Sequence, residues 1–274
     1  MSFSARWSAD EWTQRRANAV FGRLTRVESS CASTQDVAMR WAQEQAPQGA
    51  LVLAHEQTRG RGRRGRTWLA NEGGLYFSLL LRPQLAPDKL PRIPLLCAAA
   101  LLGGLRELEV DAHIKWPNDV LCPADTPGPL GPFRKVAGIL AEPWLHQNRI
   151  EAIVVGVGIN VVTPPTGFSP EIADRAAALW NDGHGLSPDR LLLHLLPHLE
   201  EWLSDVSSDH LFSCGLDALR RHSATLGREV CAPEEGISGV AEDIEPDGAL
   251  RVRSSAGETH RILAGDVLPA QISP

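Results

Sequence analysis

The residues best suited to chemistry lie in one short stretch, residues 60–68, with the sequence GRGRRGRTW. Its glycines permit backbone conformations that present N–H groups to an anion. Its four arginines supply planar forks for phosphate or carboxylate oxygens, a geometry that lysine does not match. Trp68 closes the stretch with a flat face for a purine. The stretch therefore predicts a mobile loop that closes over a nucleotide or an acyl phosphate.

Two other interpretations of residues 60–68 stay open at this point. Arginine–glycine segments also bind RNA without sequence preference, and a GxGxxG pattern also occurs in dinucleotide-binding turns. However, the segment is not repeated, and the chain carries a formal net charge of -6, which does not favour a general polyanion binder. A dinucleotide turn would lead into a helix, whereas a strand is predicted to follow here. Both interpretations are therefore less favoured.

A second polar group stands in residues 115–120, KWPNDV, within a strand-like run. Pro117 removes a ladder donor, so this strand should lie at a sheet edge or be broken. Asn118 and Asp119 offer hard oxygen ligands for Mg²⁺ or groups for nucleotide phosphates. An ordinary turn with an Asx hydrogen bond explains the same residues, and on this pattern alone it is the better interpretation.

Two further strands carry small or charged residues at unusual places. Lys135 opens the apolar run KVAGILAE, where its ammonium could neutralise charge on an acyl phosphate, although such a lysine is more often only solvated. Gly138 in that run, and Gly156 and Gly158 in VVGVGINV, suggest close approach of a ligand or another backbone. A β-bulge is the alternative. Asn160 adds one polar group at the end of the second run.

The hydroxyl pair Ser33-Thr34 stands where a helix is predicted to begin. It suits an N-cap, and the same hydroxyls could bind a polar ligand head; both roles are compatible.

The surrounding elements predict a mixed α/β domain followed by a small all-β unit. Helices are expected at residues 8–23 (with a capping box formed by Ser8 and Glu11), from 33 or 34 through 41, and at 94–108, 188–206 and 210–222. Strands are expected at residues 50–55, 75–81, 113–122, 136–144 and 150–162. Residues 123–133 are proline-rich and predict a surface loop, and Pro197 should bend or divide its helix. Asp247-Gly248 between short alternating runs predicts a hairpin within a β-barrel at 224–274.

Composition sets the class of protein. The chain has 274 residues, 43% hydrophobic and 22% charged, an ordinary globular balance. Its five cysteines are scattered and include no CxxC pair, which favours reduced thiols and a cytoplasmic location over disulfides or a zinc site. The most apolar segment, residues 93–105, is shorter than the roughly 20 residues that span a bilayer. We therefore expect no membrane partner.

These segments, in this order, resemble the catalytic domain of biotin–protein ligases. The resemblance covers residues 28–162 and runs from Ser33-Thr34 through Gln57, GRGRRGRTW, KWPND and KVAGIL to GVGIN. It implies an α+β fold, a mixed β-sheet flanked by helices as in class II aminoacyl-tRNA synthetases, in a domain spanning 1–223. Residues 224–274 resemble the small C-terminal SH3-like β-barrel of that family.

The resemblance also implies roles for individual residues. The implied catalytic residues are Lys135 and Arg63. The implied biotin-binding residues are Ser33, Thr34, Gln35, Gln57, Arg61, Gly62, Arg63, Lys135, Gly138 and Gly156. The implied ATP-binding residues are Arg61, Arg63, Arg66, Trp68, Lys115, Asn118 and Asn160. Asp119 is the implied Mg²⁺ ligand.

The implied activity has two steps. ATP and biotin first form biotinyl-5'-AMP. The biotinyl group is then transferred to a lysine of a biotin carboxyl carrier protein, which the resemblance suggests is the one of acetyl-CoA carboxylase. The family includes monomers and dimers that pair by sheet edges, so a homodimer is one of two expected states.

Three features depart from the family pattern. Gln35 stands where many members have Asn, the 123–134 loop is long, and only about thirty residues precede Ser33, which leaves no room for a winged helix–turn–helix. We therefore predict no binding to operator DNA.

Two rival functions give distinct expectations. A lipoate– or octanoate–protein ligase on the same fold would adenylate lipoate, although GRGRxGRxW and KWPND are features of the biotin branch. An arginine-rich nucleic-acid-binding module would bind RNA in a salt-sensitive way and release no pyrophosphate.

Overall fold

Two β-sheets organise the residues that the computed structural model describes, namely 7–70, 73–180 and 185–270. The helices are α1 Ala9–Arg15, α2 Thr34–Gln43, α3 Arg92–Glu107, α4 Pro188–Leu203 and α5 Asp209–Arg221, with 3-10 turns at Arg63–Gly65 and Pro87–Lys89. The strands of the larger sheet are β1 Thr25–Glu28, β2 Leu51–Ala54, β3 Gly74–Leu81, β4 His113–Lys115, β5 Asp119–Gly128, β6 Gly131–His146 and β7 Arg149–Asn160. Those of the smaller sheet are β8 Glu229–Ala232, β9 Ile237–Ile244, β10 Leu250–Arg253, β11 Thr259–Ile262 and β12 Leu268–Pro269.

The larger sheet has the order β1-β2-β3-β7-β6-β5-β4. Only β1 and β2 run parallel, and the other neighbours are antiparallel. The sheet is therefore mixed, as predicted. Its side chains alternate between two faces: Val52 and Leu80 pack with α2, whereas Leu51 and Leu79 join the main core with α3 and α4. Because both faces are covered, the central strands are apolar throughout, as the sequence showed.

The smaller sheet is antiparallel, with the order β11-β10-β9-β8-β12, which confirms the predicted all-β unit. Residues 245–249 form the turn that connects β9 to β10. In this turn Gly248 has a φ of +93°, and its N–H donates to the carbonyl of Glu245. The predicted hairpin at Asp247-Gly248 is thus confirmed. This sheet is fastened to the larger one, since Trp116 Nε1 donates to the Gly248 carbonyl at 2.9 Å.

The structure corrects the prediction for residues 113–122. They form two antiparallel strands, β4 and β5, instead of one. Pro117 has no N–H to continue a ladder, so the chain turns back there and β4 becomes the edge of the sheet.

The predicted surface loop at residues 123–133 is also wrong in part, because β5 and β6 extend into it as a hairpin arm. The pairing is irregular there: Pro123 faces Phe133, and the next pair is Gly128 with Gly131. An interrupted ladder tolerates the prolines of this arm, which cannot donate to it.

Two helices also differ from expectation. The capping box of Ser8 and Glu11 is present, but α1 ends at Arg15 instead of residue 23. Pro197 does not divide α4, in which it lies on an exposed face; water can satisfy the carbonyl that loses its partner there. Across the described residues, no helix is long and apolar enough to cross a membrane.

Candidate functional site

A cleft of about 460 Å³, measured with its open mouth, lies over the middle of the larger sheet. It is formed by the start of α2, the centres of β6 and β7, the turn before β5 and the 60–68 loop. Its lining residues are Ser33, Thr34, Gln35, Gln57, Arg61, Gly62, Arg63, Trp68, Asn118, Lys135, Gly138, Ile139, Leu140, Gly156, Val157 and Gly158. Most of the predicted site residues therefore come together, whereas Arg66, Lys115, Asp119 and Asn160 are not in the lining.

One end of the cleft is a buried polar network at the N-terminus of α2. Ser33 is the N-cap, and its hydroxyl accepts from the Gln35 N–H at 3.3 Å. The Thr34 N–H and hydroxyl both donate to Gln57 Oε1, at 2.8 and 3.2 Å. The hydroxyl pair thus caps the helix as predicted, and it also contacts a second predicted site residue.

Ser78 belongs to this network, although the sequence analysis did not select it. Its Oγ lies 2.9 Å from Thr34 Oγ1 and 3.1 Å from Gln35 Oε1. Gln35 Nε2 in turn donates to the carbonyl of Val154 at 3.0 Å, so this side chain is held at both ends. The available signal was that Ser78 is the one aliphatic hydroxyl in the apolar strand LYFSLLL, two residues after Tyr76.

If biotin, the ligand that the sequence resemblance implies, binds at this end of the cleft, Ser78→Ala should weaken its binding about fivefold, because a lost hydrogen bond in a buried network costs about 1 kcal/mol. Titration calorimetry with biotin measures the effect. Thr25→Ala is the matched control, since Thr25 Oγ1 makes a buried hydrogen bond to the Gly22 carbonyl away from the cleft. The control should lose stability without losing biotin affinity; equal affinity in both variants would contradict the role given to Ser78.

The indole of Trp68 lies against the backbone of the sheet. Gly138 and Gly158 are direct partners across β6 and β7. A Cβ at Gly158 would lie 2.5 Å from Trp68 Cε2, and one at Gly138 would lie 2.8 Å from Trp68 Cζ3. The two glycines therefore form a seat for the ring, which we call the glycine seat.

Gly156 has a comparable function for another side chain, since its Cβ would lie 2.5 Å from Gln35 Oε1. The strand glycines were expected to admit a ligand or another backbone. Their closest neighbours are instead the side chains of Gln35, Trp68 and Lys135. Gly138 and Gly156 still line the cleft, so small residues here set the positions of two larger ones.

The opposite end of the cleft is charged. Lys135 Nζ lies 2.6 Å from Asp119 Oδ1, and Lys115 Nζ lies 3.9 Å from Asp119 Oδ2. Burial alone would raise the pKa of Asp119, but Lys135 and Lys115 outweigh it and lower this pKa below its ordinary value. The stabilisation from this carboxylate is therefore present above its ordinary pKa, near 4, and is lost only as the pH falls through the lowered value.

Lys115 lies behind Asp119, outside the cleft lining. Burial lowers its pKa, and the charge of Lys135 acts in the same direction, whereas Asp119 opposes the shift. Lys115 thus balances charge beneath the site. Asn160 also lies outside the cleft lining. Its amide donates to the Ala177 carbonyl at 3.1 Å and to the Lys135 carbonyl at 3.5 Å. It fastens the strand that carries Lys135.

The four arginines of the 60–68 loop divide into two pairs. Arg61 and Arg63 line the cleft. Arg61 contacts Asp36 at 2.7 Å and Glu142 at 2.5 Å, and Arg63 donates to Asn118 Oδ1 at 2.9 Å and to the Gly265 carbonyl at 3.4 Å. Burial lowers the pKa of Arg63, which Asp266 and Asp119 oppose.

Arg64 and Arg66 face the smaller sheet, where they form ion pairs with Glu234 and Asp266 respectively. The structure therefore does not bring Arg66 to the cleft with the other predicted ATP-binding residues. Two hydrogen bonds close the loop on itself: Gly62 N–H donates to the Arg66 carbonyl, and Trp68 N–H to the Gly60 carbonyl. The mobility of the loop stays a prediction.

No cysteine lines the cleft, and all five are free thiols. Cys31 is the one beside it in sequence, two residues before Ser33. Burial, assisted by Glu28 and Asp36, raises the pKa of Cys31 to about 11. A thiol with this pKa is protonated at neutral pH, so Cys31 supplies no thiolate to the cleft.

Comparisons with known proteins match this arrangement. Residues 27–160 match the model of the biotin/lipoate A/B protein ligase family, and residues 225–268 match the biotin protein ligase C-terminal domain. A bifunctional ligase/repressor, BirA, from Bacillus subtilis is 37% identical over 242 residues, 86% of this chain and 71% of that protein. A biotin–[acetyl-CoA-carboxylase] ligase from Paracoccus denitrificans is 33% identical over 215 residues, 76% of this chain and 85% of that one.

A solved structure shows the same architecture. The biotin protein ligase from Aquifex aeolicus in complex with biotin and ATP superimposes with a TM-score of 0.74 at 31% identity, covering 89% of this chain and 97% of that one.

Proposed function

Because the chain belongs to the biotin protein ligase family, we propose that its cleft activates biotin with ATP and transfers the biotinyl group to a lysine of a carrier protein. The observation that carries this proposal is the cleft itself. A buried polar network at the start of α2 lies at one end, and Lys135 with Arg63 lies at the other. The Aquifex relative holds biotin and ATP together.

The chemistry explains why such a cleft needs no nucleophilic side chain. The biotin carboxylate attacks the α-phosphorus of ATP, the bond to the β-phosphate oxygen breaks, and pyrophosphate leaves. A deprotonated lysine amine of the carrier then attacks the acyl carbon, and AMP leaves. Both steps need alignment and charge stabilisation. In our proposal Lys135 and Arg63 stabilise the negative charge that builds up on the phosphate oxygens.

We propose that biotin lies at the polar end of the cleft, near Ser33, Thr34, Gln35, Gln57 and Gly156. Arg61, Gly62 and Gly138 would line the path between the two substrates, and Trp68 with Asn118 would face the nucleotide. Trp68 Nε1 is buried against Gly158 and has no hydrogen-bond partner among the described residues, so it is the face of the ring, and not this N–H, that we assign to the nucleotide. Lys115, Arg66 and Asn160 would act on ATP from a distance, as positioning residues.

The proposed Mg²⁺ ligand is Asp119. Its carboxylate is a hard oxygen donor, and Lys135 contacts one of its oxygens at 2.6 Å. Mg²⁺ is commonly held by one or two carboxylates together with substrate phosphates, so these residues fit the ion if ATP supplies the other ligands. Bound there, Mg²⁺ would neutralise phosphate charge.

The test of the proposal is pyrophosphate release from ATP, measured with purified protein, Mg²⁺ and no carrier, with biotin in one reaction and lipoate in another. Release with biotin alone is expected. Release with lipoate alone would move the protein to the sister activity, and release with neither would overturn the proposal. Omitting Mg²⁺ in a third reaction tests the metal requirement separately.

We propose the biotin carboxyl carrier protein of acetyl-CoA carboxylase as the acceptor, since the Paracoccus relative is named for that substrate. A single biotinyl mass increment on the purified carrier domain, abolished when its acceptor lysine is replaced by arginine, would support this partner. Unmodified carrier in a reaction that forms adenylate would reject it. Domain division at 223/224, a homodimer, no operator binding and a cytoplasmic location stay predictions.

We expect Arg63→Ala to release the adenylate prematurely. The Arg63 side chain bridges the loop to Asn118 and to the Gly265 carbonyl, so its loss opens the cleft over the reactive anhydride. Free biotinyl-5'-AMP in the medium, and biotin on bystander lysines of serum albumin, should both increase. Arg64→Ala is the matched control, because Arg64 pairs with Glu234 outside the cleft. Equal retention in both variants would contradict this role.

A further inference from the structure

A second group of metal-binding side chains lies on the helical layer, away from the cleft. His194 and His198 stand four residues apart on α4, and Glu107 ends α3. Residues four apart on a helix point to the same side, and both imidazoles meet the carboxylate of Glu107. One ligand atom from each of the three residues lies within 4.8 Å of the others.

The distances fit a tetrahedral ion. Glu107 Oε2 lies 3.2 Å from His198 Nε2 and 3.7 Å from His194 Nε2. Metal–ligand bonds of 2.0–2.1 Å in a tetrahedron place neighbouring ligand atoms about 3.3 Å apart. These two separations are close to that value, and the ligand nitrogens of the two imidazoles lie within 4.8 Å of each other, so the three groups can share one ion after an adjustment of their side chains.

The packing of α3 provides for these imidazoles. Gly103 and Gly104 lie in the interior of α3, where each glycine costs about 1 kcal/mol relative to alanine. A Cβ at Gly104 would lie 2.7 Å from Leu195 Cδ2 and 2.9 Å from His198 Cδ2, whereas one at Gly103 would make an ordinary contact with His198 Nδ1 at 3.6 Å. Gly104 thus lets Leu195 and His198 lie against the backbone of α3.

The electrostatics also favour a cation. The site is at the C-terminal end of α3, where the helix dipole and unpaired carbonyls are negative. His194 Nε2 lies 2.9 Å from the Gly104 carbonyl, so an ion bound through this nitrogen would replace that contact and lie near the carbonyl oxygen.

We propose that Glu107, His194 and His198 form a binding site for a divalent transition metal ion of the Zn²⁺ class. The His₂Glu set suits Zn²⁺, which prefers imidazole and carboxylate ligands in a tetrahedron, and it leaves a fourth position for water. The side chain of His198 is 18% exposed, that of His194 is 28% exposed and that of Glu107 is 60% exposed, so an ion can enter from solvent. The bound ion cross-links α3 to α4.

The test is a titration of the full-length metal-free protein with Zn²⁺, read by competition with a chromophoric chelator, and with Co²⁺, whose visible absorption is intense only in four-coordinate sites. We expect one equivalent of Zn²⁺ to bind and to raise the melting temperature, and Co²⁺ to give the intense bands. Excess Mg²⁺ should displace neither ion, because it prefers oxygen ligands in an octahedron.

His198→Gln and Glu107→Gln should each lower the Zn²⁺ affinity by more than about tenfold, since loss of even an outer partner of a metal ligand has that effect. Two controls should retain it. His146→Gln removes an exposed histidine elsewhere. Cys214→Ser removes the partner of His210, a second pair four residues apart on a helix, with Sγ and Nε2 3.9 Å apart.

Biotin-dependent pyrophosphate release without added Zn²⁺ shows that each variant is folded, because none of these residues contacts the cleft. Affinity unchanged in His198→Gln, affinity lost in Cys214→Ser, or no binding of Zn²⁺ at near-equimolar concentrations would each overturn the proposal.

Discussion

Replacing Lys135 with glutamine is expected to slow adenylate formation by about 10²–10³-fold, the range seen when one preorganised group that stabilises transition-state charge is removed. Lys135 is the only lysine in the cleft lining. Its ammonium is in place before substrates arrive, since strand β6 fixes its backbone and Asp119 holds Nζ at 2.6 Å. Ground-state binding of biotin should change much less, because the biotin end of the cleft is formed by other residues.

Single-turnover pyrophosphate release measures the activation step, and titration calorimetry with biotin alone measures binding. Lys115→Gln is the matched control, because it removes the same charge from the other side of Asp119, at 3.9 Å, without exposing a changed group to the cleft. We expect a smaller loss of rate in that variant. Equal losses in both would mean that Lys135 acts through charge balance at Asp119 and not by contact with the reacting phosphate.

The ion pair between Lys135 and Asp119 explains why a Lys135 variant needs a control for stability. Removing Lys135 leaves the buried Asp119 with Lys115 as its remaining close cation, and an uncompensated buried charge is costly. Lys135→Gln combined with Asp119→Asn should therefore regain stability without regaining rate, because this double variant also lacks the proposed Mg²⁺ ligand. Recovery of rate in the double variant would contradict a direct role for Lys135.

The central strands and the fold class were predictable because burial on both faces leaves an unambiguous apolar pattern. The ladder from Leu75 to Leu81 and the run ending at Asn160 were found nearly at their observed bounds. Local patterns failed where the chain reverses within an apparently continuous strand. Pro117 was identified as a break, but nothing local reveals that the chain folds back on itself to form an antiparallel pair.

The candidate site was predictable where the type and position of a residue indicate its chemistry. Arg63 and Lys135 are charged residues in places where charge is unusual, and the structure brings both to one cleft. Arg66 has the same chemistry and lies in the same loop, yet it pairs with Asp266, 200 residues later in the chain. Which arginines face inward depends on long-range packing against the smaller sheet, which spacing does not encode. Ser78 was missed because one hydroxyl in a strand has many ordinary explanations.

The glycines of β6 and β7 illustrate a partial success. Their pattern indicated a close approach, and only the structure shows that the approaching groups are the Trp68 ring and the Gln35 amide. A small residue records that something large is near, but it does not say whether that is a ligand, a backbone or a side chain. The glycine seat therefore supports a prediction that the sequence alone does not support.

Gly158→Ala is expected to displace Trp68 and to raise the KM for ATP more than about tenfold, with a smaller effect on biotin binding. The added Cβ would lie 2.5 Å from Trp68 Cε2, far inside van der Waals contact. The opposing β3 and β6 backbones pair with Gly158 and restrain β7, so the ring must move instead. Overpacking of this kind costs about 1–3 kcal/mol, and a tenfold change in affinity corresponds to about 1.4 kcal/mol.

A double-mutant cycle separates this mechanism from general damage to the sheet. If Gly158→Ala acts through Trp68, its effect on the KM for ATP should nearly vanish in a Trp68→Ala background, where the ring is absent. Gly138→Ala gives the graded comparison, because its Cβ would meet the far edge of the same ring at 2.8 Å and would also approach Lys135 Nζ at 3.1 Å. It should therefore impair both ATP binding and adenylate formation. Additive effects of Gly158→Ala and Trp68→Ala would mean that the glycine seat and the indole contribute independently, and that Trp68 is not the group through which Gly158 controls nucleotide binding.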